Sequence, residues 1–211
     1  MAVLRVNPTR MEMTLMKRRL AVARRGHKLL KDKRDEMVRR FIILARETAR
    51  LRREAEESLG AALRDFALAR AVMEPGALSQ ALLYPARRAQ VSVGQASILS
   101  VRVPVYQVEG GMGETVLPYG MADTSAQLDN AIRTMGEALP SLIALAEKEK
   151  TVALLADEIQ KTRRRVNALE YVMIPRFEET IRSIAMKLEE NDRGALTRLM
   201  KVKEMLRDRE G

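Results

Sequence analysis

The chain has 211 residues with no cysteine and no tryptophan; 3% are aromatic, 31% are charged, and the formal net charge is +10. The missing thiols exclude a disulfide framework and a thiolate metal site. So few rings cannot fill a thick globular core, whereas Leu, Ala, Met and Ile along one stripe suffice for paired helices.

The opening Met1-Ala2-Val3-Leu4-Arg5 lacks the apolar run of a signal peptide, and no stretch approaches the roughly 18 to 20 apolar residues of a membrane span. The expectation is a soluble intracellular protein. Residues 1–40 carry thirteen Lys and Arg against four Asp and Glu, so that end should seek an acidic surface.

Asn7-Pro8-Thr9-Arg10-Met11-Glu12 reads as a helix start. Thr9 is placed to cap, and Glu12 sits three residues on, where it can reach back to the cap's amide. From there an apolar seam runs at alternating steps of three and four: Met13, Met16, Leu20, Ala23, His27, Leu30, Arg34, Met37, Phe41, Leu44, Thr48, Leu51, Ala55, Ser58, Ala62. A period of 3.5 makes a narrow stripe that needs a supercoiled partner helix. Only Gly26 and Gly60 interrupt good helix formers before Met73-Glu74-Pro75-Gly76, which reads as a stop. At 1.5 Å per residue the segment would be roughly 100 Å long. Near its end the seam shifts to Phe66, Ala69 and Met73.

Ala77 to Tyr84 suggests a short helix ended by Pro85. Ser97 to Val108 then becomes valine-rich, with Val101, Val103 and Val105 on one side, followed by the turn Glu109-Gly110-Gly111-Met112-Gly113 and a return strand Glu114 to Tyr119. This predicts a β-hairpin whose Pro104 and Pro118 belong at edge positions. A lone hairpin is marginal in water, so it should pack on the helices or on another protein.

Thr124 and Gln127 offer a second capping box. Leu128, Ile132, Met135, Leu139 and Leu142 continue at helical steps, with a bend expected at Pro140. The seam resumes as Val152, Leu155, Ile159, Thr162, Val166, Leu169 and Met173. It then shifts through Phe177 to Ile181, Ile184 and Leu188, with a second kink expected at Pro175. Asn191-Asp192-Arg193-Gly194 is the weakest stretch, after which Leu199, Val202 and Leu206 carry the stripe onward. The fold class is therefore all-α: a long antiparallel two-helix coiled coil with a small β-hairpin insertion at the turn. The expected division is 1–75 for the first helix, 76–122 for the insertion and 123–211 for the second helix.

Two stretches carry a resemblance. Pro8-Thr9-Arg10, Met16-Lys17-Arg18-Arg19-Leu20 and Gly26-His27-Lys28-Leu29-Leu30-Lys31-Asp32-Lys33-Arg34-Asp35-Glu36 resemble the opening of the D-subunit family of V-type and archaeal-type rotary ATPases. The run Arg164-Arg165-Val166-Asn167-Ala168-Leu169-Glu170-Tyr171-Val172-Met173-Ile174-Pro175-Arg176 resembles that family's second signature. Gly194-Ala195 departs from the charged, continuous helix expected there. The resemblance implies a central-stalk rotor subunit without catalytic residues or cofactors. Its implied partners are the ring of catalytic A and non-catalytic B subunits, the F subunit and a funnel-shaped subunit on the membrane ring, on the cytoplasmic side. Arg10, Lys17, Arg24, Lys28, Lys31, Arg164, Arg165, Val101, Val103 and Val105 are the residues expected to meet partners.

Plainer readings cover the remaining motifs. His27, the only histidine, falls on the seam without a nucleophile or carboxylate constellation near it in sequence, which favours packing over catalysis. Glu109 to Glu114 lacks the Lys-Ser/Thr of a phosphate loop. The thirteen methionines suit a seam that tolerates imperfect packing, those at Met11, Met13 and Met16 clustering at one end. Arg163-Arg164-Arg165 is by composition a solvated face. A generic coiled-coil adaptor or export-ATPase stalk is the alternative. A nucleic-acid-binding coiled coil fits less well, because aromatic stacking groups are scarce and no recognition fold is present.

Overall fold

The computed structural model describes residues 6–84, 89–110, 117, 119–120 and 124–210. Contacts divide the chain into two units, residues 1–36 with 160–211 and residues 37–159. Two long helical segments pack together, and a small hairpin holds the only strands among the described residues.

Helix α1 spans Arg10–Val72. Thr9 caps it as expected, its Oγ1 accepting the Glu12 amide at 3.2 Å. The reciprocal arm is absent: the Thr9 amide donates to the Asn7 carbonyl at 2.9 Å, and Glu12 Oε2 is buried without a partner. A turn preceding the helix has taken the donor that the capping box needs. Along α1 every seam position from Met13 to Ala62 is buried or half-buried, and Met16, Met37, Ala55 and Ala62 are 2% exposed or less.

In the unit of residues 37–159, α1 packs antiparallel to α3, Ala126–Ala168. Lys148 pairs with Glu47, and Thr134 Oγ1 donates to Asp65. Ala55, Ala62 and Ala69 recur every seven residues on α1, and Ala131 and Ala138 do so on α3, all buried. Bare alanine at these positions lets two helices approach at the short end of the 8 to 10 Å range. Buried Thr48 and Thr151 donate their hydroxyls to Leu44 and Glu147 carbonyls at 2.7 and 2.9 Å, so the stripe holds polar residues without an unpaired donor.

Met73-Glu74-Pro75-Gly76 is a junction rather than a plain stop, because Pro75 opens α2, Pro75–Ala81, at the first helical position, where its missing N–H is harmless. The helix ends earlier than Tyr84 and leaves Leu82, Leu83 and Tyr84 exposed. Ala69, Met73, Leu78, Ala81 and Leu128 form a compact core, joined by Phe66, Tyr119 and Ile132.

The hairpin is placed differently from the sequence expectation. β1, Gln90–Ile98, pairs antiparallel with β2, Val101–Glu109, from Gln90 opposite Glu109 to Ile98 opposite Val101. The valine-rich run is thus split by a two-residue turn at Leu99 and Ser100, with φ of 49° and 71°. Positive φ at both central residues matches the right-handed twist of the strands, which outweighs the steric cost at non-glycine residues. Glu109 ends β2 and Gly110 follows at φ 73°. The expected turn at Gly111 to Gly113 lies outside the described residues, as does the return strand except Leu117 and Tyr119. Pro104 does sit on an edge-bearing strand, and the Tyr106 amide donates to Glu147 of α3 at 2.8 Å, which docks the hairpin on the helix.

Thr124 does not cap α3; its hydroxyl donates to the Gly120 carbonyl, and Ser125 takes the position before the helix, its carbonyl accepting the Leu128 amide. α3 runs through Pro140 as helix. Before Pro175 the chain neither breaks nor stays α-helical. Leu169–Met173 forms a π turn, in which the Ile174 amide reaches the Leu169 carbonyl five residues back, and α4, Ile174–Glu210, follows. In an α-helix the ring of Pro175 would crowd the carbonyl four residues earlier, and a wider turn relieves that contact.

The extra residue turns Met173 outward to 43% exposure, against the expected seam. Burial resumes at Phe177, Thr180, Ile184 and Leu188, with Thr180 and Ile184 the deepest. The stripe does not continue as packing: Leu199, Val202 and Leu206 are more than half exposed, although the helix continues through Gly194.

Candidate interaction site

In the unit of residues 1–36 with 160–211, α1 and α4 run antiparallel. The direction is fixed by Arg10 on Asp192 at 3.3 Å and Arg24 on Glu178 at 2.6 Å. Two of the expected partner-binding arginines therefore already hold a carboxylate of their own chain. Lys17, Lys28, Lys31, Arg164 and Arg165 are exposed and have no ion-pair partner among the described residues. Their charges face solvent and are available to an acidic partner.

His27 lies on the seam, half-buried, with Nε2 3.2 Å from Glu170 Oε2. Glu170 belongs to the π turn, so this contact ties the two resembling stretches to each other. Among the described residues Glu170 is the one side chain in hydrogen-bond reach of His27, so a positioning role fits the geometry better than proton transfer.

Sequence reasoning did not anticipate the π turn itself. It exposes Tyr171, Val172 and Met173 at 63%, 54% and 43%, three large apolar side chains in succession. A readable signal was present: Leu169 to Pro175 is apolar at every position but Glu170, and no single-face stripe can bury consecutive residues.

On the hairpin, Val103 is 3% exposed and Val101 and Val105 are half-buried, so this strand face is covered largely by its own chain. The exposed apolar surface lies instead on β1, at Val91 and Val93. Near the compact core, the Tyr119 hydroxyl donates to Asp129 Oδ1 at 2.7 Å. Burial first, and then this hydrogen bond and the Asp129 charge, push the Tyr119 phenol above its ordinary 10.0.

Among the described residues, no group of three or more His, Cys, Asp or Glu could hold a metal ion, and no helix is long and apolar enough to cross a membrane. Surface hollows such as that lined by Arg53, Glu56, Glu57 and Arg64 are open and charged.

Residues 12–204 match the family of the ATP synthase D subunit. The chain is 54% identical over 209 residues to the D subunit of a V-type ATP synthase from Clostridium novyi, covering 98% of this chain and 97% of that one. It is 53% identical over 208 residues to the protein of that description from Acetivibrio thermocellus, covering 98% and 94%. Against one from Clostridium botulinum it is 52% identical over 211 residues, covering 98% and 97%. With all but the outer ends of both long helical segments inside the matched span, the chain belongs to the ATP synthase D-subunit family.

Proposed function

We propose that this chain is the central-stalk rotor subunit of a V-type or archaeal-type ATPase. It couples ATP hydrolysis or synthesis in a ring of A and B subunits to proton or sodium movement through the membrane sector. The observation that carries this reading is the family match across residues 12–204, which takes in both antiparallel helical segments and their seam. The chain transmits torque and performs no reaction, since paired helices resist twisting only if many seam contacts yield together.

In this reading residues 1–75 and 123–211 form the shaft, and 76–122 form a foot that meets the F subunit and the funnel-shaped subunit on the cytoplasmic face of the membrane. The exposed Lys17, Lys28, Lys31, Arg164 and Arg165 face the ring, as do Arg10 and Arg24 beyond their own carboxylates. Val101 and Val105 support the foot.

The chain has no native cysteine, so a single cysteine placed on its exposed face can be linked by disulfide to one in the ring. Linkage should stop ATP turnover and reduction should restore it. Full turnover with the link complete would defeat the proposal.

A further inference from the structure

A π turn widens the backbone and weakens its hydrogen-bond geometry, so a helix that keeps one needs a return elsewhere. Here the return is not packing, since none of Leu169–Met173 is buried. The wider turn relieves the Pro175 ring, yet Pro140 is accommodated in continuous α3 without one, so that relief is only part of the return. What the turn does achieve is to face Tyr171, Val172 and Met173 outward together. Glu170, held by His27 at 3.2 Å, anchors the turn from the other side.

Arg164, Ala168 and Val172 follow at four-residue steps, so Arg164 and the apolar run share an outer face. Arg164 and Arg165 are exposed and lack a carboxylate partner among the described residues, whereas Arg24 has Glu178. The patch is thus apolar at the π turn and positively charged one to two turns upstream. A second copy of this chain, at net charge +10, would be repelled from it. A phosphate-rich partner would match the arginines but leave the Tyr-Val-Met run unmatched.

We propose that the π turn and its upstream arginines form a docking surface for an apolar hollow bordered by carboxylates on the protein ring enclosing the stalk. This rests on the central-stalk reading and adds to it a defined contact. Charge complementarity guides the approach, and desolvation of the apolar run supplies the affinity.

The test uses the full-length chain and a purified ring of A and B subunits lacking the stalk, with affinity measured by biolayer interferometry. The double variants Tyr171→Ser/Val172→Ser and Arg164→Glu/Arg165→Glu should each bind at least tenfold more weakly than the wild type. Their far-UV spectra and melting should be unchanged, because all four side chains are exposed. Should one variant lose helix, a photoreactive benzoylphenylalanine at position 172 of the otherwise wild-type chain replaces it and should cross-link to a ring subunit. If the wild-type chain fails to bind the ring, the central-stalk reading itself falls. If it binds and both variants bind within twofold of it, or the photo-probe links elsewhere, only the docking surface is overturned. Dimerisation of the isolated chain abolished by the variants, or sedimentation with anionic vesicles lost in them, would also overturn it by giving the patch another occupant.

Discussion

Leu155 and Leu199 both fall on the apolar stripe by spacing, yet the structure separates them: Leu155 is 0% exposed and Leu199 is 66% exposed. Leu155→Ala removes three carbons from a fully buried side chain. At about 0.8 kcal/mol per methylene this loses roughly 2.4 kcal/mol of transfer energy, and the cavity left between the helices raises the cost to about 3 kcal/mol. Leu199→Ala removes the same atoms from water and should stay within about 0.5 kcal/mol, since exposed substitutions away from special features do so. Urea unfolding followed by circular dichroism at 222 nm measures both, with the slope checked for constancy so that the midpoint shift reports stability. A loss under about 1 kcal/mol for Leu155→Ala, or equal losses for the two variants, would refute the division of the stripe into a packed and an open part.

Gly26→Ala should stabilise the chain by about 1 kcal/mol in urea melts, because a Cβ at this helical position meets nothing within 4 Å. Thr9→Ala should cost about 1 kcal/mol by removing the cap on the Glu12 amide, and amide hydrogen exchange should speed up over the first turn of α1. Ser100→Gly should gain about 1 kcal/mol because Ser100 sits at φ 71°; a loss in thermal unfolding would count against the turn geometry. For Tyr119 the folded phenol holds its proton more tightly than the unfolded one. Its contribution to stability is therefore complete below pH 10 and is lost as pH rises above 10 toward the raised folded value. The difference between wild-type and Tyr119→Phe absorbance titrations at 295 nm isolates this phenol; a midpoint at or below 10 would refute the shift.

The α1 seam was legible because a 3.5-residue repeat has one physical solution, and the structure buries its positions from Met13 to Ala62. The hairpin was legible as a kind of element but not in register. Leu99-Ser100 carries none of the Asn-Gly chemistry that marks a tight turn, and the glycines at 110–113 drew the expectation toward themselves. Thr124 and Ser125 are both competent caps by type, yet neither side chain caps α3: the Thr124 hydroxyl goes to the Gly120 carbonyl, and the Ser125 hydroxyl is buried without a partner. A stripe such as Leu199, Val202 and Leu206 says which face is apolar, not whether a partner reaches it. Helix α1 begins at Arg10, opposite Asp192, so no α1 residue remains to cover that stripe. At the candidate site the charges were readable, whereas the outward run at the π turn needed backbone geometry that no periodicity encodes.

The ion pairs between the helices have a role that their energies conceal. Arg10 and Asp192 are 80% and 64% exposed, and such pairs contribute at most about 1 kcal/mol each, so the apolar seam must hold the helices together. A seam that repeats every seven residues cannot by itself choose among registers seven apart, because each slip still sets apolar on apolar. The pairs make that choice. Sliding the C-terminal helices by seven residues in one direction would face Arg10, Arg24 and Arg52 with Ala185, Tyr171 and Leu142. Sliding them in the other direction would face the same arginines with Leu199, Ala185 and Ala156. Either slip displaces one helix by about 10 Å and strips every one of these pairs, while His27 would exchange Glu170 for Arg163 or Phe177. Contacts too weak to stabilise a fold one at a time thus select one alignment when they fail together, and a shaft that must present fixed faces depends on that selection.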